Sequence, residues 1–139
     1  MVKKMSQIRY ANLNDIEFWL SLDKHISISK LEEKIDNKEC LVILKDDKLI
    51  GILRYNYFWD NVPFVNMLYI KTEYQRNGYG KKLMLFFENE MKNNGYTEVM
   101  TSTQTDEEGK YFYDKLGYKK TGSLFLENKA EELILIKKI

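Results

Sequence analysis

The residues best suited to chemistry lie in "YQRNGYGKKLM", residues 74–84, where Gly78 and Gly80 stand between an apolar run and a helix-like one. Backbone N–H groups in a first helical turn have no intrahelical acceptor, and glycine lets an anion come close to them. The helix dipole and the side chains of Arg76, Lys81 and Lys82 bring positive charge to the same place. The loop Gln75-x-x-Gly78-x-Gly80 therefore suits a pyrophosphate; taken alone, it is equally consistent with a plain turn. Spacing excludes two other phosphate loops. A Walker loop needs its second glycine five residues after Gly78, followed by Lys and Ser or Thr, but Leu83 and Met84 stand there. A dinucleotide fingerprint needs its third glycine at the same position, where Leu83 would block close helix packing.

Such a loop needs a strand before it and a helix after it. "FVNMLYI" reads as that strand. The helix follows from Tyr79, Leu83, Phe87 and Met91 at spacing four, with Phe86 beside them and Gly95 as a left-handed stop. Upstream, "QIRYA" alternates as a first strand. "NLNDIEFWLSLDK" puts Leu13, Ile16 and Leu20, with Phe18 and Trp19, at helical spacing, and Asn12 or Asn14 can cap it. "ISISKLEEKIDN" predicts a second short helix with a Ser29–Glu32 capping box and an apolar face of Leu31 and Ile35. "CLVIL" and "LIGILRYNYFW" read as strands joined by the tight turn "KDDK". Downstream, "TEVMTS" is a strand, and Thr105 with Glu108 offers a capping box for a helix through "YFYDKLGY". "KKTGSLFL" and "ELILIKK" close the chain as an antiparallel hairpin around "ENKA". The order β-α-α-β-β-β-α-β-α-β-β predicts an α+β fold with a mixed, mainly antiparallel sheet and one parallel crossover.

Bulk properties narrow the classes. The 139 residues suit a single domain, 1–139, and 44% hydrophobic with 31% charged residues is ordinary for a globular chain. A formal net charge of +1 argues against a general nucleic-acid binder. The one cysteine, Cys40, allows no internal disulfide and reads as a buried small hydrophobe. The N-terminal stretch has no apolar signal region, and no window approaches a membrane span. A cytoplasmic protein, monomeric or homodimeric, with no nucleic-acid or membrane partner and no metal, is expected.

Two segments together carry a family resemblance. "MLYIKTEYQRNGYGKKL" is similar to the strand, Gln/Arg-x-x-Gly-x-Gly/Ala loop and helix of the GNAT superfamily of N-acetyltransferases, and "GKYFYDKLGY" resembles its Ala-x-x-Phe-Tyr-x-x-x-Gly-Phe segment. They stand in the family's order and separation, and the remaining elements extend the resemblance over essentially the whole chain. Gly109 stands where the family often has Ala, and Tyr118 where it often has Phe. Asp106 replaces an Asn that in many members reaches the pantetheine arm. The strand "FVNMLYI" lacks the general-base Glu that some members keep there, and Asn66 cannot serve as one.

The resemblance implies a sheet of about seven strands flanked by about four helices, with CoA between splayed parallel strands 4 and 5. It implies transfer of acetyl from acetyl-CoA to a primary amine by direct attack in a ternary complex. The pyrophosphate would rest on backbone amides from Arg76 through Asn77, Gly78, Tyr79 and Gly80 to Lys81, and the pantetheine would pair with the edge formed by Leu68, Tyr69 and Ile70. A strand N–H would stabilise the oxyanion, a contribution of about 3–4 kcal/mol per donor elsewhere. Tyr113, at the "FY" position, would protonate the leaving thiolate, since a phenol ordinarily titrates near 10; as an alternative it is a core aromatic, although Tyr111, Phe112 and Leu116 can supply that core. On the acceptor side stand Trp59 and Asp60, as a wall and an anionic contact for an ammonium, with His25 between the first two helices and Asn66. His25, Asp60, Glu73 and Glu107 are candidate bases, none singled out. The acceptor is a small amine, amino acid, polyamine or protein N-terminus. The other reading is a catalytically silent acyl-CoA-binding or regulatory module on the same fold; a nucleic-acid-binding domain is disfavoured.

Overall fold

Local capping and turn chemistry sets most element ends. The structure, a computed structural model, describes residues 6–105 and 108–139. Its strands are β1 (Gln7–Tyr10), β2 (Cys40–Lys45), β3 (Lys48–Phe58), β4 (Val62–Ile70), β5 (Glu98–Gln104), β6 (Lys119–Leu124) and β7 (Glu132–Lys138). Its helices are α1 (Ile16–Leu22), α2 (Ile28–Asp36), α3 (Tyr79–Asn93) and α4 (Gly109–Lys115). The strands form one sheet in the order β1-β2-β3-β4-β5-β7-β6. β4 and β5 run parallel, with Phe64 opposite Met100 and Val65 opposite Thr101, and α3 is their crossover. The other registered pairs are antiparallel. This is the mixed α+β sheet that the element order predicts. By internal packing the chain divides into two compact units, one running to Tyr55 with Met67–Phe87, the other Asn56–Asn66 with Glu88–Ile139.

In the first unit, Asn12 caps a 3-10 turn at Leu13–Asp15, and its N–H is held by the Asp15 carboxylate, a reciprocal capping box. Trp19, not Leu13, enters the core: Trp19 is fully buried with Leu31, Ile35, Cys40, Val42 and Ile52, whereas Leu13 is exposed. Burying such side chains stabilises the fold by about 1.5–3 kcal/mol each. Helix α2 begins earlier than the Ser29–Glu32 pattern predicts. Ser27 is its cap, accepting from the Lys30 N–H, because the chain is still extended at Ser27 and already helical at Ile28. The β2–β3 turn places Asp46 and Asp47 in the left-handed region, as a two-residue hairpin of right-handed twist requires. On the opposite side of β3 from Ile52, Tyr55 meets Phe87 of α3 at 5.0 Å between ring centroids.

Among the described residues of this unit, each buried charge has a partner. Asp23 accepts from Trp19 Nε1 at 3.1 Å, Arg54 Nε at 2.7 Å and the His25 N–H at 3.0 Å. Asp15 takes two bonds from Arg9, at 2.7 and 3.0 Å. Lys34 donates to the Tyr55 carbonyl at 2.6 Å and to Glu39 at 3.2 Å. Burial pushes the Cys40 thiol up to about 12, in keeping with its reading as a core residue.

In the second unit, α3 ends as Gly95 predicts. The Gly95 N–H donates to Lys92 O and the Tyr96 N–H to Met91 O, the paired bonds of a Schellman stop, with Gly95 at φ +94°. β7 lies between β5 and β6, so the closing hairpin extends the sheet rather than standing apart. β6 ends at Leu124, two residues before the predicted end, leaving Phe125 and Leu126 exposed. The Thr105–Glu108 capping box does not form: Glu108 itself precedes α4, and no side chain caps it.

Candidate active site

The loop after β4 is built almost entirely from its own residues. A 3-10 turn, Thr72–Tyr74, follows β4. Gln75 Nε2 then reaches back to the Ile70 carbonyl at 2.8 Å, and Asn77 Nδ2 donates to Gln75 O at 3.0 Å and Tyr74 O at 3.3 Å. Arg76 and Gly78 have positive φ, +64° and +85°, and Asn77 between them does not, an alternation that shapes anion-binding concavities. A non-glycine residue such as Arg76 sits there at a cost of about 1–2 kcal/mol. The first intrahelical bond of α3 runs from the Lys82 N–H to Gly78 O at 3.0 Å, so the N–H groups of Tyr79, Gly80 and Lys81 have no acceptor within the helix. A Cβ built on Gly78 meets nothing within 4 Å. A Cβ at Gly78 would enter open space beside these first-turn donors and the positive helix end, and this donor set fits a pyrophosphate.

Side chains divide around this loop. Arg76, Lys81 and Lys82 are exposed. Tyr79 points inward, edge-on to Tyr74 at 6.4 Å, with Lys45 and Lys82 over its ring. Tyr79 thus offers a ligand its backbone and not its phenol. Along β4, Leu68 is half-buried, Tyr69 is exposed and Ile70 is buried. Ile70 Cδ1 lies 2.5 Å from where a Cβ on Gly51 would stand, so a larger residue there would force the Ile70 side chain to shift.

Tyr113 is held from both ends of α4. At the start, Gly109 packs against β5, where an added Cβ would lie 2.6 Å from Thr103 Oγ1; alanine, frequent at this place in the resemblance, would collide. At the end, Gly117, at φ +96°, and Tyr118 close a second Schellman stop, with Gly117 N–H to Asp114 O and Tyr118 N–H to Tyr113 O, both 3.0 Å. The inward residue of α4 is Tyr113, in edge contact with Phe112 and Tyr118; Tyr111, expected in the core, is 64% exposed. A seven-residue helix has one narrow inward stripe, and Tyr113 occupies it. Beneath, the Tyr118 hydroxyl donates to Glu88 Oε2 at 2.8 Å, and Lys137 Nζ to Glu88 Oε1 at 2.7 Å. Burial, reinforced by the Glu88 carboxylate, raises the Tyr118 pKa, so this phenol stays neutral. At the β4–β5 pairing, Thr101 Oγ1 donates to the Val65 carbonyl at 3.1 Å.

The acceptor-side expectations are scattered. His25 is exposed between α1 and α2, its N–H tied to Asp23. Trp59 and Asp60 are the two central residues of the β3–β4 turn, both left-handed, with Trp59 79% exposed and stacked on Phe58 at 4.8 Å. Asn66 Nδ2 donates to Asn56 Oδ1 at 2.7 Å on an exposed face. Glu73 is exposed and 3.8 Å from Lys71. Asp106 and Glu107 lie outside the described residues. Sequence reasoning did not single out Glu88, whose one signal is an acid on the apolar side of α3, as the partner of Tyr118 and Lys137. Among the described residues, no group of three or more His, Cys, Asp or Glu could hold a metal ion, and no helix is long and apolar enough to cross a membrane.

A model of the acetyltransferase (GNAT) family matches residues 6–118. The chain belongs to that family. By class it is an acyl-CoA-dependent acetyltransferase with acetyl-CoA as co-substrate. No curated protein matches it in sequence. Among solved structures it is similar in fold to the PaiA N-acetyltransferase of Thermoplasma acidophilum in complex with coenzyme A, at 22% identity over 97% of this chain and 99% of that one, TM-score 0.80. It is likewise similar to Ard1 of Thermoplasma volcanium, at 19% identity over 96% and 97%, TM-score 0.82. Naa50 of Arabidopsis thaliana, in complex with the bisubstrate analogue CoA-Ac-MVNAL, matches at 15% identity over 96% and 99%, TM-score 0.78.

Proposed function

We propose that this chain moves an acetyl group from acetyl-CoA to a primary amine by direct attack in a ternary complex. The observation that carries this reading is the loop from Gln75 to Lys81, whose open Gly78 and first-turn N–H groups suit the pyrophosphate of the donor. Acetyl-CoA, when bound, supplies the thioester carbonyl that the amine attacks. The chain's own groups do the rest. The amides from Arg76 to Lys81 bind and orient the donor, and the backbone of Leu68, Tyr69 and Ile70 pairs with its pantetheine arm and offers an N–H to the developing oxyanion. The Tyr113 hydroxyl gives its proton to the departing sulfur, and the proton shed by the acylated nitrogen restores the phenol, so that amide and free CoA thiol are the products. A phenol can do so because its ordinary pKa, near 10, lies close to that of a thiol.

The acceptor is an amine of a small molecule, an amino acid or polyamine, or a protein N-terminus; the peptide portion of the analogue bound to Naa50 supports including the last class. The test is binding followed by turnover. Acetyl-CoA at saturating concentration should raise the melting temperature, and a panel of these amines should release free CoA with at least one acceptor. No stabilisation by acetyl-CoA would sink the reading. One observation favours a second: β4, Val62–Ile70, contains no carboxylate. Clear binding with no acetylation across the panel would turn the assignment to a silent acyl-CoA-binding module.

A further inference from the structure

Among the described residues of α3, Glu88 is the one buried carboxylate, on the side of the helix that carries Met84 and Met91. An acid there needs partners, and both of its oxygens have one. The Tyr118 hydroxyl donates to Oε2 at 2.8 Å, and Lys137 Nζ, from β7, donates to Oε1 at 2.7 Å. The same ammonium lies over the Tyr118 ring, 5.7 Å from its centroid. Three elements therefore meet on one phenol. The Tyr118 N–H is bonded to the Tyr113 carbonyl in the last turn of α4, and the hydroxyl is bonded to α3 through Glu88.

The Tyr113 ring stands edge-on to this phenol, at 5.5 Å and 68°. The backbone stop alone leaves the Tyr118 side chain its torsional freedom. A hydrogen bond to an ionised acceptor removes that freedom, and it is roughly twice as strong as a neutral one. Tyr113 is thus backed by a wall fixed at both ends. The two phenols also divide their roles. Burial and the Glu88 carboxylate raise the Tyr118 pKa, so its proton stays committed to Glu88. Tyr118 is a wall and not a second acid.

We propose that Glu88 is a positioning residue for acetyl transfer: its bond to the Tyr118 hydroxyl fixes the ring that aims Tyr113 at the departing sulfur. This rests on the reading of Tyr113 as the general acid. Both Glu88 oxygens are spent inside the core, so Glu88 acts through Tyr118 and not on the donor itself. Its removal costs alignment and leaves donor binding intact, so the effect falls on kcat.

The experiment is a rate cycle with the amine that the acceptor panel identifies, read as kcat at saturating acetyl-CoA beside calorimetric CoA Kd and melting temperature. Glu88→Met combined with Tyr118→Phe removes both ends of the bond, leaving neither donor nor acceptor unpaired, so the fold should hold. The Lys137 side chain, 22% exposed, can turn to solvent. This double variant should lose kcat roughly tenfold, a fraction of the loss from Tyr113→Phe, with CoA Kd and melting temperature near those of the wild type. Glu88→Gln keeps an oxygen for the Tyr118 hydroxyl and should retain most of the rate. Built on Tyr113→Phe, the double variant should cost nothing further, because no proton is left to aim. Should the double variant melt much lower than the wild type, Tyr118→Phe alone, which leaves Glu88 paired with Lys137, carries the same rate test.

An unchanged kcat in the double variant, or an equal further loss on top of Tyr113→Phe, overturns the role of Glu88 and leaves Tyr113 standing. An unchanged kcat in Tyr113→Phe itself overturns the acid assignment, and the role of Glu88 with it. A wild type that binds acetyl-CoA and acetylates no amine overturns both while leaving the donor loop intact.

Discussion

The Tyr118 N–H donates to the Tyr113 carbonyl at 3.0 Å, and the two rings meet edge-on at 5.5 Å. One helix stop therefore fixes both the backbone and the ring of the candidate acid. The spacing Tyr-x-x-x-Gly-Tyr is the length that such a stop requires. Tyr113→Phe retains the ring and its packing and removes the proton. It should lower kcat roughly a hundredfold, within the usual range for a general acid, with CoA Kd unchanged. Steady-state rates beside calorimetric titration check this, and an unchanged kcat removes Tyr113 from the role.

Gly109 and Thr103 make a second constraint on the same helix, through the 2.6 Å approach that a Cβ would force. Gly109→Ala should destabilise by about 1–3 kcal/mol, as overpacking does. Thr103→Ala removes the opposing oxygen, so the double variant should be more stable than additivity predicts. Urea denaturation of the four proteins measures the coupling; strict additivity would refute the contact as the cause.

At Gly78, strain and ligand blockade can be separated. The residue is at φ +85°, and a Cβ there enters open space. Asn tolerates the left-handed region, so Gly78→Asn should leave stability within about 1 kcal/mol of wild type. Its side chain nevertheless occupies the place assigned to the donor, and CoA should bind at least tenfold more weakly. Retained CoA affinity in a folded Gly78→Asn protein would contradict the amide cradle.

Acid sensitivity should pass in part through Asp23. Burial alone would raise this carboxyl; the bonds from Arg54, the His25 amide and Trp19 outweigh it and hold the pKa below 3.8. The folded value is the lower one, so the stabilisation is complete above 3.8 and is lost as pH falls through the folded pKa. Asp23→Asn breaks the buried pair and should cost about 3 kcal/mol at pH 7. Its stability should also fall less steeply than that of the wild type between about pH 5 and about pH 2. Parallel slopes for the two proteins would exclude Asp23. The Arg9–Asp15 pair has the same sign and retains the remaining sensitivity.

Cys40 reports opening of the first core. Burial pushes its thiol up to about 12 from 9.0, so the stabilisation from keeping it protonated is lost as pH rises from the lower value toward the higher. At about pH 8 a disulfide reagent should modify the native protein roughly a hundredfold more slowly than the urea-unfolded chain. Comparable rates would mean that the core around Trp19 and Ile52 opens readily.

The features legible in the sequence are those encoded within a few consecutive residues. The left-handed stop at Gly95, the Asp46–Asp47 turn and the glycine loop each close hydrogen bonds over two to five positions, so composition and spacing suffice. The family resemblance rests on two such local segments and carried the fold with it. Tertiary packing decided which side of each short helix faces inward. Trp19 is buried in place of Leu13, and Tyr113 in place of Tyr111, because the choice depends on the layer beneath, and a short helix offers too few turns for periodicity to settle it. The same holds for charge. Lys45 reaches Tyr79, and Lys137 reaches Glu88, only after distant strands and helices have packed. The sequence alone determined the donor class, because phosphate binding is a local backbone property; the partners of Tyr113, Tyr118 and Glu88 were placed by the fold, because long-range contacts leave no spacing to read.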